Sequence, residues 1–438
     1  MTVASAPAPA ALSASIHLRH ATAMVVGTII GASIFVQPSE ISSAVPSIAG
    51  LLGAWVVAGL LTIAGALICA ELASAFPRTG GVYVFLNETL SPAVGFLWAW
   101  AMFWSMHSGI IAAIAVIFAR YVGYFAPLSG AGLRATAIAA ILALSAINYV
   151  GVKHGSRLQA AFTLGKLLAI GVMILLGFLL GSDRPHFVAP GPAPDLLGHL
   201  PRAVAAGLFA FGGWHMVTYV GGETLNARRT IPLALMIGTG IVTACYVALN
   251  VVYLYVLPLD AVMASTRVAA DAADAVLGSG GGAMMSALVV FSTFGALGGI
   301  VLLGPRVYFS MAGDNRWLAW LGAVHPCYRT PYRAIVIQAI WASVLVATGT
   351  YRTLFTRVIY TEWIFFALMA VGLFVARRRP DYAPTYRVPG YPVMPALFAV
   401  VSAAVAVSQL VANPWDGFLG LLLVAVGLPA YLLTRRPS

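Results

Sequence analysis

Charge is what this sequence has little of. Of its 438 residues only 8% are charged while 61% are hydrophobic, and the mean hydropathy is +0.93. So little polar side chain cannot cover a water-soluble surface of this size, so the solvent this chain is built for is a bilayer. Acidic residues are scarcer than basic ones, 13 against 24, for a formal net charge of +11. The basic residues sit at the ends of apolar runs, not in a basic domain with interleaved aromatics, which argues against nucleic acid as a partner. The three cysteines, Cys69, Cys245 and Cys327, are an odd number without metal-ligand spacing, and read as small apolar packers or free thiols. No HExxH, GxSxG or P-loop pattern occurs, and the few His, Glu and Asp assemble no nucleophile, base and orienter set. Neither enzyme chemistry, a cofactor nor a metal is expected.

What the chain has instead is a series of apolar windows about 20 residues long, the length that crosses a hydrocarbon core. Twelve are expected, near 18–46, 50–75, 91–122, 132–150, 157–181, 200–223, 231–257, 281–312, 332–349, 355–377, 391–411 and 415–434. The start, "MTVASAPAPAALSAS", has no basic n-region and reads as a short disordered cytoplasmic tail over 1–16. With that tail inside, Arg78, Lys153, Arg157, Arg228, Arg229, Arg306, Arg329, Arg333 and Arg377 to Arg379 all fall in cytoplasmic segments, and fewer basic residues fall outside. The positive-inside rule then puts both termini in the cytoplasm, and a multi-pass protein of the cell (inner) membrane is expected.

Two spans are interrupted. "GTIIGASIF" places Gly27, Gly31 and Ser33 in the middle of the first, and "LFAFGGWHMVTYVGGE" places Gly212 and Gly213 in the sixth. Small residues let helices pack closely, yet paired breaks at matching places in two halves point to an inverted repeat with a ligand site between them. An unwound stretch exposes amides at the start of one half-helix and carbonyls at the end of the other, a pattern that suits a zwitterion. An α-carboxylate is expected at the amides of Ala32, Ser33 and Ile34, and an α-ammonium at the carbonyls near Ile29, Ile30 and Phe209.

These stretches, with "ELASAFPRTGGVYVFLNETLSPAVGFLWAW" and "TEWIFFALMAVGLFVARRRPDYAPTYRVPGYPVMPALF", resemble the amino acid, polyamine and organocation transporter superfamily, most closely bacterial members of its L-amino-acid transporter family. The resemblance runs from about Leu18 onward. It implies an all-α membrane fold of twelve transmembrane helices, with helices 1 and 6 broken. The repeats would be 17–181 and 200–377, the extra helices 391–434, and the mechanism alternating access. It makes Phe209 the aromatic that closes over substrate, with Ala210, Phe211, Gly212 and Gly213 beside it. The first break in that family usually reads Gly-Ser-Gly, whereas here it is Gly31, Ala32, Ser33. The extra side chain favours small neutral substrates such as alanine, serine or glycine.

Lys166, one of only two lysines, sits well inside the fifth span. Placing it there costs about 2.5 to 3.5 kcal/mol on insertion scales, so it should face the interior and find oxygens. The resemblance implies that it stands where sodium-coupled relatives bind a cation, touching the first break and the eighth helix, with Ser292 as partner there. His215 follows the second break, where the family often has Asn, and either bonds substrate, titrates near neutral pH or packs. Glu223 is expected in an inner gate with a nearby arginine. Glu362 is expected either at the outer vestibule or at a solvated helix end, and His107 is expected to be a satisfied core histidine. Together these features predict a sodium-independent transporter working by amino acid exchange, since a charged Lys166 would mimic a bound cation, with proton symport as the alternative and a polyamine or other amine permease as the more distant one. A channel would need a continuous pore with a repeated filter, which two unlike breaks do not supply. No obligatory partner subunit is expected.

Overall fold

The computed structural model describes residues 12–31, 33–35, 37–181, 196–265, 267–278, 280–349, 351–412 and 414–434. Among them every regular element is helical. Isolated bridges pair Ile16 with Thr224 and Thr79 with Val220. In hydrocarbon each backbone N–H and C=O must be satisfied within its own segment, and an α-helix does that without neighbours.

The first half of the chain begins with α1 (Leu18–Ile29), a 3₁₀ turn at Ser33–Phe35 and α2 (Gln37–Ala44). Next come α3 (Ile48–Ala75) and α4 (Val82–Thr89), then α5 (Pro92–Ala101), which continues through a π-helical turn at Met102–Met106 into α6 (His107–Phe125). α7 (Gly130–Val150) and α8 (Val152–Leu180) complete this half. Serine caps begin three of these helices, Ser47 on the amide of Gly50, Ser91 on that of Val94 and Ser129 on that of Gly132.

The second half opens with α9 (Leu196–Ala210), followed by 3₁₀ turns at Trp214–Tyr219 and Gly221–Glu223. It continues with α10 (Ala227–Val256), the short α11 (Leu259–Ala264) and α12 (Val268–Leu277), and α13 (Gly281–Leu303), which leads through Gly304 into α14 (Pro305–Asp314). α15 (Tyr332–Thr348), α16 (Tyr351–Ala376), α17 (Val393–Ala412), α18 (Pro414–Ala425) and α19 (Gly427–Thr434) close the chain.

Six of these helical runs are long and apolar enough to cross a membrane: α3, α5 with α6, α7, α8, α10, and α13 with α14. Four shorter apolar helices stand at Tyr332–Thr348, Thr361–Ala376, Val393–Ser408 and Gly417–Leu433. The expected spans 18–46 and 200–223 are the two that the structure divides into helix, turn and second segment. The expected span 415–434 is divided between α18 and α19.

α8 shows how the bundle is assembled. Its exposed positions, Leu164, Leu168, Val172, Leu175 and Leu179, form one apolar stripe, while Gln159, Thr163, Lys166, Ile170 and Met173 form the buried one. The helix is amphipathic in the inverted sense a membrane requires, with its polar stripe turned inward. α1 is packed between α8, α10 and α13, so its break lies at the centre of the molecule.

The N-terminal segment corrects one expectation. The tail is not loose through residue 16: the amides of Ser15 and Ile16 donate to the carbonyl of Glu223 at 2.8 and 3.0 Å, the amide of Leu225 donates to Ile16 at 3.0 Å, and Ile16 is fully buried. An apolar side chain with an adjacent free edge of backbone is enough to anchor it. Residues 1–11 lie outside the described residues.

Candidate functional site

The break in the first helix leaves four carbonyls without their intrahelical amides, those of Gly27, Thr28, Ile29 and Ile30. Three of them are taken by side chains from other helices. Lys166 Nζ of α8 donates to the carbonyls of Gly27 at 3.2 Å and Ile30 at 2.6 Å, and also to Ser292 of α13 at 3.1 Å. The Tyr246 hydroxyl of α10 lies between the carbonyls of Ile29 at 3.1 Å and Ala210 at 3.2 Å, so one phenol joins the ends of both broken helices. Ser292 Oγ reaches the Gly31 carbonyl at 3.4 Å. The fully buried ammonium thus sits at the negative end of the α1 dipole, where a cation is favoured.

The second break touches the first. Thr28 Oγ1 lies 3.2 Å from the Gly213 carbonyl. Gly213 has φ +95° and a Cβ there would approach the Thr28 carbonyl to 3.2 Å, so both conformation and space require glycine. At Gly31, by contrast, the nearest atom to an added Cβ would be Ala296 Cβ at 3.9 Å, and the space beside that residue is open. Ile34 and Phe211 are fully buried, Ile29, Ile30 and Ala210 nearly so, and Ser33 is half-buried. Gly212 and Phe209 are exposed, Phe209 by 39%. Ala32 lies outside the described residues.

The carbonyls expected to hold an α-ammonium already carry protein donors. Ile29 takes Tyr246, Ile30 takes Lys166 and Phe209 takes the Gly212 amide at 3.1 Å. A carbonyl has two lone pairs, so each of these keeps capacity for a second donor.

His215 is fully buried on the other side of the second break. Its ring packs against Trp98, Tyr219 and Phe366, and Nε2 lies 3.5 Å from Glu362 Oε1 of α16. At that distance the pair is electrostatic, not a well-formed hydrogen bond. His107 is a separate buried group, 2.9 Å from the Ile300 carbonyl.

One end of the site is shut. Arg306 of α14 grips Glu223 through two contacts, Nε to Oε2 at 2.7 Å and Nη2 to Oε1 at 3.0 Å, with both side chains fully buried. Around this pair the Thr79–Val220 and Ile16–Thr224 bridges close the backbone, and the amide of Gly80 donates to Tyr219 at 3.0 Å. Nearby, Glu71 takes Arg377 at 2.8 and 2.6 Å together with the amide of Val388 at 2.6 Å, which clamps the segment after α16 onto α3.

Lys166, Ser292 and both breaks therefore converge, while His215 with Glu362 and Glu223 with Arg306 form two further polar pairs. Sequence reasoning missed Tyr246 and Thr28, although a tyrosine hydroxyl inside an apolar span usually takes a hydrogen-bond partner. Glu223 was expected near an arginine, but nothing local singles out Arg306, which is 83 residues away.

The comparisons with known proteins agree with this architecture. The chain matches the amino acid permease family over residues 16–421. It is 33% identical to the serine/threonine exchanger SteT of Bacillus subtilis (strain 168), across 96% of each chain. It is 30% identical to the b(0,+)-type amino acid transporter 1 of Homo sapiens, covering 98% of this chain and 89% of the relative. Identity to the Asc-type amino acid transporter 1 of Mus musculus is 29%, over 97% of this chain and 81% of the relative. With a matching family signature over most of its length and helices built for a bilayer, the chain belongs to the amino acid permease family and is a multi-pass membrane transporter, not an enzyme.

Proposed function

We propose that this transporter exchanges small neutral L-amino acids across the inner membrane, independently of sodium and by alternating access. The observation that carries the reading is the meeting of two broken helices around an open Gly31, with the Lys166 ammonium fixed on the end of the first. A zwitterion finds backbone donors and acceptors there together, and a built-in cation does the electrostatic work that a bound sodium ion would do. The similarity to a serine/threonine exchanger supports both the coupling mode and the substrate size. In this reading twelve spans form two inverted repeats, 17–181 and 200–377, followed by the pair 391–434, with both termini cytoplasmic and no obligatory partner subunit. In this reading Glu223 and Arg306 hold the cytoplasmic side shut, and Phe209 is the aromatic that would close over substrate from outside.

Proton symport is the second reading, and the buried pairing of His215 with Glu362 is what favours it. Labelled alanine uptake into proteoliposomes of the purified chain, with and without internal alanine at equal pH, separates the two. Exchange predicts uptake only with internal amino acid. Uptake into empty vesicles that rises on external acidification would establish proton coupling instead. Gly31→Leu serves as the site control: an added Cβ meets nothing closer than 3.9 Å there, so the variant should fold and lose uptake, and unchanged uptake would move the site elsewhere.

A further inference from the structure

An apolar groove of about 370 Å³ runs along the outside of the bundle between α7 and α15. Its walls include Leu142, Ala146 and Val150 from one helix and Val336, Ala339 and Ile340 from the other. Every membrane helix meets lipid, but this surface is concave, and the end of the groove is unlike the rest of the surface. Arg333 shares a helix face with Val336 and Ile340, three and seven residues on, which puts it at the end of the groove. The Thr330 hydroxyl donates to the Tyr149 carbonyl at 2.8 Å, which pins the segment that carries Arg329 onto the end of α7, the end from which Lys153 and His154 follow. All four of these basic or titratable residues are exposed.

No acidic residue neutralises them locally. None occurs between Thr89 and Ser182, nor between Asn315 and Thr361. Exposed aromatics stand in the same segment, Trp317 by 74%, Trp320 by 47% and Tyr328 by 43%, the ring types enriched at membrane interfaces. Arg333 is held in place by its own contacts, Nη1 on the Trp320 carbonyl at 3.1 Å and the guanidinium 5.5 Å from the Tyr332 ring centroid.

We infer that the α7–α15 groove is a binding site for one anionic phospholipid, with an acyl chain along the groove and the phosphate between Lys153, Arg329 and Arg333. A held charge cluster without acidic neighbours selects a negative headgroup, and the groove selects a molecule with a chain attached to it. The site lies on the outer surface of α7 and α15, away from the two breaks, so it stands or falls independently of the exchange reading.

The test is lipid retention by the purified full-length protein, read by native mass spectrometry after equilibration with equal amounts of phosphatidylglycerol and phosphatidylcholine of matched chains. The wild type should retain phosphatidylglycerol preferentially. Lys153→Gln and Arg329→Gln should each lower that retention roughly fivefold while phosphatidylcholine retention stays unchanged, since a juxtamembrane charge contributes about that factor. Ala339→Trp, which fills the groove and leaves every charge in place, should lower it as well. Equal retention of the two lipids by the wild type, or a phosphatidylglycerol preference that survives all three substitutions, would overturn the proposal.

Discussion

Lys166 shows how one residue can be both a structural expense and a structural necessity. Its burial is unfavourable in itself, yet the broken α1 presents unpaired carbonyls that need a donor of long reach, and the ammonium serves two of them. Lys166→Ala leaves the carbonyls of Gly27 and Ile30 without that donor, at about 1–3 kcal/mol for each buried acceptor. The expected outcome is a fall of at least about tenfold in exchange rate, as expected from a loss of roughly 1.4 kcal/mol or more. The protein should still insert and elute as a single species, with a lower melting temperature. Wild-type exchange by this variant would reduce Lys166 to a packing residue. The inward direction of Lys166 was legible in the sequence, because it lies on the polar stripe of α8 with Gln159 and Thr163. The role of Tyr246 was not, since its two acceptors are 217 and 36 residues away.

At the scale of elements, the closure at the basic end depends on α14 meeting the 3₁₀ turn that follows the second break. The Glu223–Arg306 pair is fully buried, so removing one partner strands the other charge. Glu223→Gln alone should destabilise by about 3–5 kcal/mol, and Glu223→Gln combined with Arg306→Met should recover much of that loss. Thermal unfolding of the four members of this cycle in detergent measures the coupling, and additive effects would show that the two side chains do not act as a pair. The gate was half legible: a glutamate at a span end calls for a basic partner. Which arginine supplies it depends on how the α13–α14 run packs against the turn that carries Glu223, and no local pattern encodes that.

The whole molecule is organised by the asymmetry of its ends. The basic residues gathered at the end where Ile16, Glu223 and Arg306 meet should face the cytoplasm, and Cys327 offers a direct check because it is exposed in the segment before α15 while Cys69 is buried. A membrane-impermeant maleimide should label Cys327 in inside-out vesicles and not in right-side-out ones, and the opposite pattern would invert the topology. Helix positions were read well from hydropathy, for instance 50–75 against Ile48–Ala75, because the length of a span is set by the bilayer and not by its neighbours. The tail was read less well, since Ile16 is ordered by a strand-like contact with Thr224 that sequence periodicity does not register.

By itself, the sequence determined that the chain lives in a bilayer, where its helices run, where two of them break and that Lys166 turns inward. Composition, span length and glycine content are local properties, and each acts whatever the rest of the chain does. Only the tertiary structure decided which groups satisfy the broken ends, because a carbonyl freed by an unwound turn accepts whatever donor packing brings within about 3 Å. That Lys166 and Tyr246 are those donors follows from the crossing of α1 with α8 and α10. A site made of backbone leaves its mark in the sequence as glycines, and its chemistry appears only when the helices are packed.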